Sequence, residues 1–394
     1  MRQKINVGCY YFPNYHGCDE RNAKIHGPGW SEWELVKAAK PRFPGHRQPK
    51  IPVWGYCDES DPKVMKLKIR AAQEHGIDYF IFDYYYYNDG PFLSHCLDNG
   101  FLPAVSGEPL RFALMWANHN WVDIHPCSRV SHPLLYPGAV SPERFTAITN
   151  HIIEHYFKHP NYYRMNGKPY FSIYHLNELI KGLGGFHAAR KALADFRRRT
   201  IAAGFSGLEL NAVVWGSPVL PGEENTAPRE KVVTDLGFDS VSCYVWIHHI
   251  ALPKTAELSY IAAMNAYFQA WQTLENNCPL PCYPNVTVGW DPSPRTLQSD
   301  IWEPVGYPYT CTLSDNTPEN FRTALLKTRE RLERSGIQTF SINCWNEWTE
   351  GSMLEPEEQY GMGYLEALRS VFPPHPHETD RRNHHEETTT VFAY

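Results

Sequence analysis

The feature that most constrains this chain is a rhythm. Eight segments, each apolar for four to six residues and then abruptly aromatic or polar, alternate with stretches of helical spacing. In chain order they are INVGCYYFPNY (5–15), IDYFIFDYYYYN (77–88), LRFALMWANHNW with its strand over Arg111 to Trp116, KPYFSIYHL, LELNAVVWG, FDSVSCYVW, PNVTVGW and QTFSINCWNEW. Between them, residues 62–75 carry Val64, Leu67 and Ala71 at helical spacing and are closed by Gly76. Ser141 and Pro142 open a helix with Phe145, Ile148, Ile152 and Tyr156 on one face. Helices are also expected over 184–203, near 229–236, over about 254–276, and from Thr317 and Pro318 to Ser335. The weakest crossover is FLSHCLDNG, between the second and third strands. Strands and helices in strict alternation predict a (β/α)8 TIM barrel, a single domain over residues 1–371 with a long loop (16–61) after the first strand.

In such a barrel the site lies at the C-terminal ends of the strands. Those ends carry Tyr10 and Tyr11, then Asp83 and Tyr84, then Trp116, Asn118, His119 and Trp121. Tyr174, Trp215, Tyr244 with Trp246, Trp290 with Asp291, and Asn346 with Glu347 follow. The last strand is the most telling, because its tail WNEWTEG holds Glu347 and Glu350 three residues apart between Trp345 and Trp348. Two carboxyls so placed suit a base and a general acid, and the indoles supply both desolvation and flat faces for a sugar ring. Trp121, Trp246 and Trp290 are candidate stacking faces, and Asn346 is placed to bond a hydroxyl or orient a glutamate. Asp83 reads as a ligand for sugar hydroxyls or as a turn cap. Asp291 and Arg295 read as an ion pair holding the loop after the seventh strand, and Gly351 as the point where the backbone turns closely behind Glu350.

Composition narrows the partners. A formal charge of −6 with scattered basic residues leaves no electrostatic footprint for nucleic acid, and no run of about 18 apolar residues suggests membrane insertion. Aromatic residues reach 14%, which suits a carbohydrate partner. The ten cysteines form no compact framework, so a reduced compartment is expected. Cys278 and Cys282 have no second pair to complete a zinc site, and His119, His125, His248 and His249 come from separate loops without ligand spacing, so neither metal nor cofactor is expected. The sequon at Asn285 falls in a predicted buried strand. The N-terminus runs straight into a strand with no apolar leader, which reads as cytoplasmic for the chain as written, and as periplasmic or secreted if a leader has been removed. After Val371 the chain turns polar, and residues 372–394, with His375, His377, His384 and His385, read as a disordered tail.

The segments GPGWSEWELVKAAKPRFPGHRQPKIP, WANHNW, PNYYRMNGKPYFSIY, GWDPSPR and WNEWTEGSMLEPEEQYGMGYLEAL together resemble the WbsX-like family. That family is similar to glycoside hydrolase family 99, the endo-α-mannosidase and endo-α-mannanase group. The resemblance runs in order over about residues 5–370. It implies a retaining enzyme that cleaves α-glycosidic bonds without a dedicated metal. Glu347 would be a base on the sugar 2-hydroxyl, which attacks the anomeric carbon to give a 1,2-anhydro sugar, and Glu350 the acid that protonates the leaving oxygen. Two departures bear on substrate. His119 stands where the family pattern has a carboxylate, so simple α-mannan is expected to be a poor substrate, with binding dependent on pH around the histidine's titration. Pro292 stands where an amide is common. The alternatives are a glycosyltransferase of surface polysaccharide biosynthesis and a non-catalytic carbohydrate-binding barrel. The chain lacks the Asp-x-Asp and glycine-rich phosphate loop that the first would use. The second would not need both glutamates.

Overall fold

The computed structural model describes residues 4–374 except 130, 220 and 222–228. The expected eight staves are present as β1 (Asn6–Tyr11), β2 (Tyr79–Tyr87), β3 (Arg111–Trp116), β4 (Lys168–Ile173), β5 (Glu209–Val213), β6 (Ser240–Ser242), β7 and β8 (Thr339–Asn343). The seventh stave is split at Pro284, which lacks the N–H needed to continue a ladder. Its first piece, Cys282–Tyr283, pairs with β6, and its second, Asn285–Thr287, pairs with β8. The nine parallel strands therefore run β7, β6, β5, β4, β3, β2, β1, β8, β7, and the ring comes round on itself. Every stave is covered on both faces, which is why the strands read as nearly continuous apolar runs.

Local sequence sets the helices as expected. Helix α1 (Pro62–Glu74) starts where the Asp61 carboxylate accepts the Lys63 N–H at 2.8 Å, and ends before Gly76 at φ +90°. Helix α2 (Pro142–His151) is capped by Ser141 and runs into a π-helical turn over Ile152–Phe157, so Phe145, Ile148, Ile152 and Tyr156 all reach the core. The expected 184–203 helix is α3 (Phe186–Ala202), preceded by a short helix over Leu176–Gly182 that was not foreseen. Then come α4 (Arg229–Leu236), α5 (Tyr260–Asn277), α6 (Pro318–Ser335) and α7 (Gly363–Val371). The weak second crossover is a π-helical turn, Cys96–Phe101, leading into one α-turn at Leu102–Val105.

The barrel interior is aromatic and polar. Gly8 leaves room for the Tyr79 ring, whose atoms a Cβ would meet at 2.6 Å, and that ring stacks on Tyr163 at 3.9 Å. Asn211 Oδ1 accepts from Ser172 and Ser242, and Asn285 Nδ2 donates to Ser341, so these two buried amides are partnered. The sequon asparagine, Asn285, is thus buried in a stave as expected. Among the described residues no helix is long and apolar enough to cross a membrane. The four tail histidines, from His375 onward, lie outside the described residues.

Candidate active site

The tail of β8 is a small hairpin. Asn346–Glu347 pairs antiparallel with Ser352–Met353, and a single 3-10 turn, Trp348–Glu350, closes it. Glu350 is therefore held in the same hairpin as Glu347, and both are buried. Gly351 closes the turn at φ +65°, and a Cβ there would meet Asp291 Cβ at 2.6 Å. A Gly351→Ala variant is expected to lose about 1–3 kcal/mol of stability in chemical denaturation, since that neighbour is too close to its own backbone to swing away.

A set of buried polar side chains fixes the hairpin. Asn346 donates to the Phe12 carbonyl at 2.7 Å and accepts the Phe12 N–H at 2.8 Å, which ties the motif to the end of β1. It also donates to Glu59 at 2.9 Å. Glu59 and Glu355 share Lys68 of α1 at 2.5 and 2.6 Å, and Glu355 accepts the Trp348 indole N–H at 2.7 Å. The Tyr15 hydroxyl accepts the backbone N–H groups of Trp348 and Thr349. Asn346, read as bonding a hydroxyl or orienting a glutamate, bonds the Phe12 backbone and Glu59.

The carboxyls converge on one guanidinium. Arg295, after β7, donates Nη1 to Glu350 Oε1 at 2.6 Å and Nη2 to Glu347 Oε2 at 3.3 Å. Nη2 also reaches Glu32 Oε2 at 3.2 Å. The expected Asp291–Arg295 pair does not form. Asp291 turns the other way, accepting from His46 at 2.9 Å and Gln48 at 2.7 Å, beside a second cavity of about 900 Å³ beyond Trp290 and Gly351. Glycine at 351 leaves room for Asp291 in that direction, while the Asp291 backbone N–H donates to the Glu350 carbonyl at 2.5 Å. His46 and Lys50 hold the Asp291 carboxyl below its usual range against the opposing effect of burial.

The mouth of the barrel holds a cavity of about 660 Å³. Of the residues predicted from sequence, Asp83, His119, Trp121, Tyr174, Tyr244, Trp290, Glu347 and Glu350 line it. Tyr10, Tyr11, Tyr84, Trp116, Asn118, Trp215, Trp246, Asp291 and Asn346 are not among its lining and stand in or behind the wall. Tyr10 donates to the Cys243 carbonyl, Tyr11 to Met65 Sδ, and Trp116 to the Tyr86 carbonyl. Asn118 clamps the His175 backbone through two bonds of 2.8 Å. The Trp246 indole donates to Asn285 O, and Trp215 packs on Tyr174 at 4.7 Å. Trp246 presents no face to the cavity; Trp121 and Trp290 line it.

Burial sets the electrostatics. It raises Glu347 well above the usual glutamate range, with Glu350 adding to the effect and Arg295 opposing it. Burial also raises Glu350, against Arg295 and the Tyr307 hydroxyl that donates to it at 2.8 Å. Asp83 is raised well above its range by burial; Tyr244 donates to one of its oxygens at 2.9 Å, and the other has no partner among the described residues. Glu32 is the exception. Burial would raise it, but Arg295 and His125, the latter at 3.1 Å, bring it down to about 2. Its remaining neighbours are Asn14 Nδ2 at 3.1 Å and the Thr349 hydroxyl. His119 is pushed down to about 4 by burial, so the pH sensitivity expected of it moves out of the neutral range.

Sequence reading missed Glu32, Tyr307, Phe12 and Tyr85, and misassigned Arg295. One signal existed for Glu32: the stretch WSEWE in the long loop repeats the Trp-x-Glu-Trp spacing of WNEWTE.

Fold and site together define a (β/α)8 barrel with buried carboxyls gathered round one arginine at its mouth. The model of the family described as Glycosyltransferase WbsX matches residues 7–368, and the chain belongs to that family. The uncharacterized protein WxcX of Xanthomonas campestris pv. campestris is 28% identical over 381 residues, which are 93% of this chain. The match takes in 49% of WxcX, so the chain spans about half the length of the curated relatives it matches. The endo-α-mannosidase of glycoside hydrolase family 99 from Bacteroides thetaiotaomicron superposes with a TM-score of 0.58 at 15% identity, over 98% of this chain and 100% of the other. A structure described as a glycoside hydrolase-like protein gives 0.57 at 15% identity over 94% of each chain. These likenesses show the same fold.

Proposed function

We propose that this chain is a glycoside hydrolase that cleaves α-glycosidic bonds in a polysaccharide or glycan with retention, using Glu347 and Glu350 as its acid–base pair. The observation that carries the reading is the pair itself: two buried glutamates in one rigid hairpin, both raised, facing a cavity walled by Trp121 and Trp290. Because the Glu350 charge itself raises Glu347, the two carboxyls titrate as a unit.

In the resting site a proton on the pair favours Glu347. Its nearest donor is Arg295 Nη2 at 3.3 Å, since the Tyr244 hydroxyl gives its one proton to Asp83, whereas Glu350 Oε1 receives two at 2.6 and 2.8 Å. A sugar 2-hydroxyl donating to Glu347 stabilises its charged form and drives the proton to Glu350. Glu347 then takes the proton of that hydroxyl as its oxygen bonds to the anomeric carbon, and the bond to the leaving oxygen breaks as Glu350 protonates it. Water opens the 1,2-anhydro sugar, giving its proton to Glu350, while Glu347 returns a proton to O2. Neither glutamate is consumed.

The family description favours a second reading, transfer from a sugar nucleotide. Against it stands the one arginine that lines the cavity, which Glu32, Glu347 and Glu350 already occupy. A diphosphate entering there finds that guanidinium already paired. A glycan-library digest with products identified by mass spectrometry tests both readings. Released oligosaccharides in buffer alone are expected; transfer that requires a nucleotide sugar, without release, would replace the hydrolase with the transferase.

The pH profile follows from the pair. Activity needs one proton shared between two raised carboxyls, so it falls in acid when both are protonated and in base when both are charged. Because both are raised, the alkaline limb of kcat/KM is expected to lie above the ordinary carboxylate range, and an alkaline limb within that range would contradict the assignment.

A further inference from the structure

The mouth of the barrel is two-sided. Staves β7, β8, β1 and β2 are neighbours in the ring and bring Arg295, Glu347, Glu350 and Asp83 to the cavity. The opposite arc, β3 to β6 and their loops, presents Met115, Ala117, Val122, Ile124, Val219 and Val245. Among the polar groups on that side, His119 Nδ1 lies 2.9 Å from the Asn120 carbonyl, Asn120 Oδ1 accepts the Gly138 N–H and Tyr244 donates to Asp83, while His125, Tyr174 and His248 line the cavity beside the apolar side chains.

A pyranose whose C1–C2 edge lies against Glu347 and Glu350 turns its opposite edge, C4 and C5 with the C6 substituent, toward β3 to β6. That orientation rests on the reading proposed above. From it we infer that the sugar held here is a 6-deoxyhexose, whose C6 is a methyl group seated among the Met115, Val122, Ile124 and Val245 side chains. A hydroxymethyl group at that place loses its hydrogen bonds to water and finds methyls in return.

The test is a binding panel that involves no turnover. The full chain and its Glu347→Gln variant are titrated with pairs of methyl α-glycosides differing only in CH3 or CH2OH at C5: D-rhamnoside against D-mannoside, L-rhamnoside against L-mannoside, and L-fucoside against L-galactoside. Saturation-transfer NMR reads both affinity and the group in contact. In at least one pair the 6-deoxy member is expected to bind about tenfold or more tightly, with its methyl protons receiving the strongest saturation. Val122→Phe, which fills the arc and is checked for folding by circular dichroism, is expected to abolish that binding. Equal or tighter binding of every hydroxymethyl partner overturns the inference, as does an absence of saturation in all pairs at millimolar sugar. A preference for an N-acetylated hexoside over its parent without a 6-deoxy preference, or retention of binding by folded Val122→Phe, overturns it as well. A failed panel beside successful glycan release sinks the sugar class alone; a successful panel without release sinks the hydrolase reading and leaves a deoxysugar-binding barrel.

Discussion

Glu347→Gln is expected to reduce glycan cleavage about 10²–10⁴-fold and, in the same protein, to raise the thermal midpoint at neutral pH. The two effects have one cause. Burial and Glu350 make the Glu347 carboxylate unfavourable, so the folded chain keeps a proton that the unfolded chain releases. Below the ordinary glutamate pKa of about 4.3 both states are protonated and the group contributes no difference. As pH rises above that value the unfolded state ionises first, and the wild-type protein loses stability until the folded group itself ionises. Glutamine has no such slope. The midpoint of the variant is therefore expected to exceed that of wild type by about 2–4 °C at pH 7, with the gap closing toward pH 4 in a pH series of calorimetric scans. Glu350→Gln is expected to match the loss of cleavage without the same gain, because it also breaks the 2.6 Å ion pair with Arg295. Near-normal turnover in either variant would remove the pair from the mechanism.

Arg295→Met is expected to be the most damaging single substitution for folding. The guanidinium is the common partner of Glu32, Glu347 and Glu350, all buried, and also faces the Phe12 ring at 5.4 Å. Removing one partner of a buried ion pair costs about 3–5 kcal/mol, because the remaining charge is left without solvent or counter-ion. Here the deficit depends on pH with a definite sign. Glu32, held down to about 2, contributes stability that is present above the ordinary glutamate pKa and lost as pH falls through its folded value. Without Arg295 that contribution shrinks, so the variant is expected to lie furthest below wild type at neutral pH and to approach it in acid. Urea denaturation in a series from pH 7 down to about pH 2 checks this; a deficit that stays constant through the whole series would mean that Arg295 stabilises by packing rather than by charge.

How much of this was legible beforehand differs by level. Strand ends, helix caps and the closing glycines were readable because their causes are local: Ser141 caps α2, Pro318 opens α6, and Gly76 ends the chain's first long helix. The Glu347–Glu350 pair was readable because three residues of sequence hold both members. The aromatic strand ends were a different case, since alternation along a stave sends neighbours to opposite faces. Trp121 and Trp290 reach the cavity, but Trp246 and Trp116 turn into the wall. Sequence spacing cannot separate these outcomes where every residue type would suit either side.

By itself, then, the sequence determined the barrel, the order of its staves and the position of two acids at the end of the last one, because periodicity, caps and close spacing act within a few residues. Only the tertiary structure decided which charges meet. Glu32 and Arg295 are separated by a large part of the chain, and the guanidinium chose three glutamates over its neighbour Asp291 because ring closure brings β7 and β8 beside the loop after β1. Coulombic partnership depends on distance through space, and the closure of the ring sets that distance.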